Sequence, residues 1–273
     1  MKQQTSDVQQ KARQLAADPW VEKLARLGLV SKGIVYSIVG ILAAQAAFGF
    51  GGRTTDSAGA LETIVTQPFG KFLLALIAVG LLGYMLWRFI QAFLNPENKG
   101  NFTRFGSFIA GVIYAGLSLT AVRLIMGSGG ANNNSTEDWT ARLMSQPFGQ
   151  WLVGTVGALI IGFGFYEFYK AFTAKFREDL KWQEMDHHER KLATNLGRFG
   201  YTARAIVLVV IGFFLIQAAR FSNPNQARGF GGALAALAGQ PYGPWILGVV
   251  AIGLLAYGIY TMVESRYRRI ITT

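Results

Sequence analysis

Gln67-Pro68-Phe69-Gly70 returns as Gln146-Pro147-Phe148-Gly149 and again as Gln240-Pro241-Tyr242-Gly243. A second signal precedes each copy: Arg26-Leu27-Gly28, Arg104-Phe105-Gly106 and Arg198-Phe199-Gly200, at arginine-to-glutamine spacings of 41, 42 and 42 residues. Two motifs held in register three times make an internal repeat, so the chain is read as three copies of one supersecondary unit.

The stretches between the motifs say what that unit contains. Twenty uncharged residues separate Lys32 from Arg53, 18 separate Arg104 from Arg123, and 35 run from Gly229 to Val263. A helix crosses the hydrocarbon core with roughly 20 apolar residues. Two such segments fit in each repeat: about 27–48 and 70–93, 105–125 and 151–172, 201–219 and 245–263. Between the two lies a short amphipathic stretch, capped at Asp56 or Ser57 in the first copy and at Ser135 in the second, where a side-chain oxygen accepts from free helix amides. The expectation is an all-α integral membrane protein. Its six transmembrane helices form three parallel two-helix repeats with pseudo-three-fold symmetry, and each repeat adds a short outer interfacial helix. The organisation is a tail over 1–19, repeats over 20–97, 101–176 and 195–270, and a charged linker over 177–194, expected to be an exposed helix or juxtamembrane segment.

In lipid there is no hydrophobic drive between helices, so small residues mark close approach. Such pairs are Gly40/Ala44, Ala43/Ala47, Gly111/Ala115 and Ala158/Gly162. In the repeated turn, proline suits the first turn of a new helix, where its missing donor would be unpaired anyway. Gln67, Gln146 and Gln240 are read as caps for helix-end groups, and Pro68, Pro147, Pro241 with Gly70, Gly149, Gly243 as the residues that shape the corner.

The net charge of +11 suggests nucleic acid at first sight, but its distribution fits a membrane better. Of the 26 lysines and arginines, 20 fall on the side of the two termini and 6 on the side of the Gln-Pro turns. Basic residues are retained in the cytoplasm during insertion. Both termini are therefore expected to be cytoplasmic. The first 19 residues are polar and charged and do not read as a signal peptide. The chain has no cysteine, which excludes disulfides, thiolate metal sites and iron–sulfur clusters.

With these features the chain resembles a bacterial membrane family known as domain of unknown function 1206. The resemblance spans residues 20 to 270. It is carried by the Arg-x-Gly opening, by Gly33-Ile34-Val35-Tyr36 and Gly111-Val112-Ile113-Tyr114, by the Gln-Pro-aromatic-Gly turn, and by Gly83-Tyr84, Gly162-Phe163 and Ala256-Tyr257. Repeat three departs, with Ala205-Ile206-Val207-Leu208 in place of the glycine and tyrosine, so one copy is expected to pack differently. The resemblance implies two-helix modules in triplicate and a bacterial inner membrane. It implies no activity.

Ionisable groups within spans carry a functional hypothesis by default. Lys32 and Arg204 share a repeat position, with Ala110 between them; Arg88 and Glu167 share another, with Thr261 as the third. They read either as side chains reaching to headgroups or as a polar vestibule at the inner face. Gln45, Arg123 and Gln217 share a third position, 19 residues after the opening arginine, and would form a ligand-binding ring for an anion if that face pointed inward. Lys32 and Gln45 lie about 140° apart around the helix, so both sets cannot face one axis. Tyr84, Trp87 and Tyr257 read as packing and an interfacial belt.

His187 and His188 are the only histidines. They read as part of a solvated helix, without the further ligand that a metal site needs. With no histidine in a span, a bis-histidine haem is excluded. No constellation fits acid–base or nucleophilic work. The reading is a non-enzymatic protein without cofactor or catalytic residues, a scaffold or accessory protein of the inner membrane that binds lipid or another membrane protein and no nucleic acid. The alternative is a small channel or transporter along the pseudo-three-fold axis.

Overall fold

The computed structural model describes residues 19–95, 100–128 and 135–269, apart from the side chains of Phe102 and Ser135. Residues 1–18 of the tail expected over 1–19, and the Ser135 cap, lie outside the described residues. The helices are α1 (Pro19–Ala47), α2 (Ser57–Val65), α3 (Gly70–Phe93), α4 (Asn101–Ile125), α5 (Ser135–Met144), α6 (Gly149–Thr173), α7 (His187–Arg220), α8 (Phe230–Ala238) and α9 (Gly243–Tyr267). Six of them, α1, α3, α4, α6, α7 and α9, are long and apolar enough to cross a membrane. Each repeat thus contributes two spans and one short helix between them. We call the two ends of the bundle the termini face and the turn face.

The repeated motif folds the same way each time. The carbonyl of the glutamine accepts from the glycine N–H three residues along, at 2.8, 2.9 and 2.7 Å for Gln67–Gly70, Gln146–Gly149 and Gln240–Gly243. The residue left in the left-handed region is the aromatic: φ is 59° at Phe69, 61° at Phe148 and 62° at Tyr242. The glycine is required for space instead. A Cβ on Gly70, Gly149 or Gly243 would stand 2.2, 2.2 or 1.8 Å from the carbonyl oxygen of Ile64, Leu143 or Ala238. The glutamine side chains of Gln67 and Gln240 donate to the carbonyls of Thr63 and Ala236, four residues back, which caps the ends of α2 and α8. All three aromatics are exposed, as are Phe72, Trp151 and Trp245 at a second shared position. These six make the aromatic girdle of the turn face.

Asp56 caps α2 as expected, its side chain accepting from the Gly59 N–H at 2.9 Å. The short helices do more than lie at an interface. Ala60, Leu61 and Ile64 of α2 and Ala233 and Leu234 of α8 are buried in one apolar core with Val35, Val39 and Ala43 of α1 and Val207 of α7. They close the turn-face half of the bundle. The 177–194 linker also departs from the expectation of an exposed element. Two 3-10 turns (Lys175–Asp179 and Trp182–Glu184) precede α7, which runs unbroken from His187 into its span. Phe176, Leu180 and Met185 are buried beneath the charges, against Tyr201, Tyr257, Tyr260 and Tyr267. Period-free charge hid three apolar anchors.

The spans follow one another around the bundle. The most extensive interfaces join one repeat to the next: α3 with α4, α6 with α7, and α9 with α1. Within a repeat, α1 packs on α3 and α7 on α9, but α4 and α6 scarcely touch. The physical cause lies at one repeat position. Ser31 meets Gly80 in repeat one, where a Cβ on the glycine would fall 2.0 Å from the Ser31 hydroxyl; Ala203 meets Gly253 in repeat three, at 2.4 Å. Repeat two places Ile109 and Leu159 there, and both are exposed. Two branched side chains hold apart what two small ones let close. The opening glycine reports the result: a Cβ on Gly28 or Gly200 would strike Tyr84 or Tyr257, whereas around Gly106 there is open space. Repeat two, rather than repeat three, is the copy that packs differently. Of the expected close-approach pairs, Gly40 lies against Ala251 and Leu255 and Gly111 against Phe89, while Gly162 also meets open space. In repeat three the missing glycine is supplied across the interface, by Gly164 against Ala205.

Candidate functional site: a buried arc of cations and tyrosines

The two shared charged positions, which sequence reasoning left divided between headgroup contacts and a vestibule, are brought together inside the bundle. Arg204 of α7 pairs with Glu167 of α6 at 2.8 Å, with side chains 15% and 4% exposed. Arg204 also donates to the Tyr257 hydroxyl of α9, and Lys32 of α1 donates to the same oxygen at 2.7 Å. Lys32 stands over the Tyr257 ring at 5.0 Å and over the Tyr84 ring of α3 at 5.6 Å. Arg88 of α3 donates to the Tyr84 hydroxyl and, at 3.0 Å, to Gln91 Oε1. Tyr84 meets Tyr114 of α4 edge to face at 4.6 Å, and Tyr36 of α1 meets Tyr257 at 4.9 Å. The result is an arc through all six spans. It begins at Tyr114 on α4 and ends at Glu167 on α6, the two helices that do not close on each other.

Its charges do not balance. Arg204 has Glu167, but the repeat equivalents of that pair are Lys32 with Thr261 and Arg88 with Ala110. Among the described residues, neither Lys32 nor Arg88 has a carboxylate within salt-bridge distance, and Lys32 is 7% exposed. Tyrosine rings and hydroxyls partly replace water around these cations. A buried cation still carries a desolvation cost of several kcal/mol that a counter-charge relieves. Glu167 Oε2 and Arg88 Nε are buried with no hydrogen-bond partner. A second pair, Arg268 with Glu264, is buried near the termini face, where Arg26 reaches across to the carbonyls of Ser265 and Arg266.

The structure does not gather Gln45, Arg123 and Gln217. Gln45 and Arg123 are exposed and Gln217 is half-buried. The buried faces of their helices are carried by Ala43 and Ala47, Ala121 and Leu124, and Leu215 and Ala218. The position two residues before each, occupied by Ala43, Ala121 and Leu215, is buried, and two residues are about 200° around a helix. Helix rotation therefore turns these three positions away from the buried faces. Tyr84, Trp87 and Tyr257 belong to the interior and not to a belt, all being 1% exposed. Sequence reasoning missed Tyr36 and Tyr114 as members of the site, although their shared repeat position was visible. His187 lines an open basic cleft on the termini face with Arg177, Trp182, Arg190, Lys191 and Arg198. No group of three potential metal ligands occurs among the described residues.

The fold and the arc define a class: a six-span helical membrane protein built from three tandem repeats around a buried cationic cluster. The chain belongs to the family described as Domain of Unknown Function (DUF1206), whose model matches residues 27–95, 105–174 and 199–268. It is 38% identical over 255 residues to "Uncharacterized protein YxxB" of Bacillus subtilis (strain 168), covering 92% of each chain. No solved structure matches the chain.

Proposed function

We propose that the protein is a non-enzymatic binding protein of the bacterial cytoplasmic membrane, a scaffold or accessory component whose buried arc holds an anionic group. The observation that carries this is the pair of cations, Lys32 and Arg88, that have no carboxylate among the described residues, whereas Arg204, the repeat counterpart of Lys32, has Glu167. An anion seated between them and the tyrosine hydroxyls receives charge-assisted hydrogen bonds in a low-dielectric site. Both termini lie in the cytoplasm on this reading, supported by 20 of 26 basic residues on their side. Conduction along the axis is the weaker alternative, because α2 and α8 fill the turn-face half with apolar side chains, and a permeation path needs polar lining throughout.

The test uses a soluble headgroup analogue on purified protein in detergent. Glycerol phosphate binding to the folded state raises the melting temperature as its concentration grows. The rise should be present in the wild type and absent in Lys32→Gln and Arg88→Gln. A wild type that does not respond, or variants that respond equally, would sink the reading.

A further inference from the structure

The α4–α6 gap and the arc are two independent departures from the repeat, and they meet. The gap is lined by Phe105, Gly106 and Ile109 on α4 and by Leu159, Gly162 and Phe163 on α6, apolar throughout, and Phe105, Ile109, Leu159 and Phe163 are exposed. Gly106, Ile109 and Leu159 stand where repeats one and three bury intra-repeat contacts, at Gly28 and Gly200, Ser31 and Ala203, and Gly80 and Gly253. The arc ends on the same two helices, at Tyr114 and at Glu167, and Glu167 follows Phe163 by one helical turn.

Resting on the anion-binding reading above, we infer that the gap is a lateral doorway for an anionic phospholipid. Its phosphate lies within the arc and its acyl chains trail between α4 and α6 into the bilayer. Charge complementarity selects this occupant over a partner helix. Of the cations in excess, Lys32 is buried and Arg88 half-buried, and both meet Tyr84, whose ring packs on Tyr114 at the α4 end of the arc, so the slot leads to positive charge that a phosphodiester neutralises. The tyrosines suit the same ligand, since Tyr36 and Tyr114 are half-buried and their hydroxyls make no hydrogen bond among the described residues. Glu167 Oε2, buried and unpartnered, is positioned to accept from a headgroup hydroxyl, which points to phosphatidylglycerol among the anionic lipids.

The experiment fills the doorway without touching the arc. Gly106 and Gly162 face open space, so Gly106→Leu with Gly162→Leu leaves the fold's own contacts intact. Wild type and variant are extracted in detergent, and the phosphatidylglycerol retained per protein and the thermal shifts caused by added phosphatidylglycerol, phosphatidylcholine and glycerol phosphate are measured. The wild type should respond to phosphatidylglycerol over phosphatidylcholine. The variant should retain roughly fivefold less phosphatidylglycerol or lower still, yet keep its response to glycerol phosphate. A variant that retains the lipid overturns the inference, including the case in which only its oligomeric mass by light scattering changes, since the slot would then belong to a second copy. Loss of both responses overturns it as well, because the glycines would serve the anion and not a tail. A wild type that answers to glycerol phosphate alone overturns the doorway and leaves the anion site standing; one that answers to neither removes both.

Discussion

Glu167 and Arg204 form a 2.8 Å ion pair between α6 and α7, the one inter-repeat interface where the two charged repeat positions carry opposite signs. At the other two, the equivalent pairs are Lys32 with Thr261 and Arg88 with Ala110. One of the three equivalent pairs is therefore neutralised, and each of the other two leaves a cation with no carboxylate among the described residues.

Removing the carboxylate exposes that difference. Glu167→Gln leaves Arg204 buried beside Tyr257 without its counter-ion, and breaking a buried pair from one side costs about 3–5 kcal/mol. Thermal unfolding in detergent should drop accordingly, while Glu167→Met with Arg204→Met should recover most of the loss. A single variant as stable as wild type would show the pair to be solvated.

The open side can be tested without any ligand. Gly28→Leu and Gly200→Leu drive a side chain into Tyr84 and Tyr257 and should each destabilise by roughly 2–3 kcal/mol. The equivalent Gly106→Leu meets nothing, and leucine is the better helix former, so stability should stay within about 1 kcal/mol of wild type. Comparable losses at all three positions would mean that α4 and α6 pack like the other pairs.

The repeated turn makes a pair of opposite predictions at adjacent residues. Phe69 holds φ at 59°, a conformation that disfavours a side chain by about 1–2 kcal/mol, so Phe69→Gly should raise the melting temperature in detergent. Gly70→Ala should lower it, because the new methyl collides with the Ile64 carbonyl. If alanine is tolerated at Gly70, close approach is not the reason for that glycine.

Orientation is checked by labelling. The protein has no cysteine of its own, so Ser128→Cys and Gln183→Cys, both at exposed positions on opposite faces, report without background. An impermeant thiol reagent on intact cells should modify the first and spare the second. The opposite pattern would invert the topology.

What the sequence determined by itself is whatever depends on local chain properties repeated in register. Uncharged length specifies a span, the Gln-Pro turn specifies where a span starts, and Asp56 specifies a cap; none needs a distant partner. The family resemblance adds nothing to these three and follows from the same residues. The tertiary structure alone decided which faces meet. Lys32, Arg88, Glu167 and Arg204 were visible as shared positions, but whether they reached outward to headgroups or inward to one another depends on the rotation of each helix, which packing of Gly28, Gly40 and Gly200 against neighbouring helices sets. Gln45, Arg123 and Gln217 fell to the same uncertainty in the other direction. The gap had a sequence signal, Ile109 with Leu159 against Ser31 with Gly80 and Ala203 with Gly253, but that signal becomes legible only once it is known that those positions face each other across one interface. A span's identity is a property of its own residues, and its neighbours are a property of pairs.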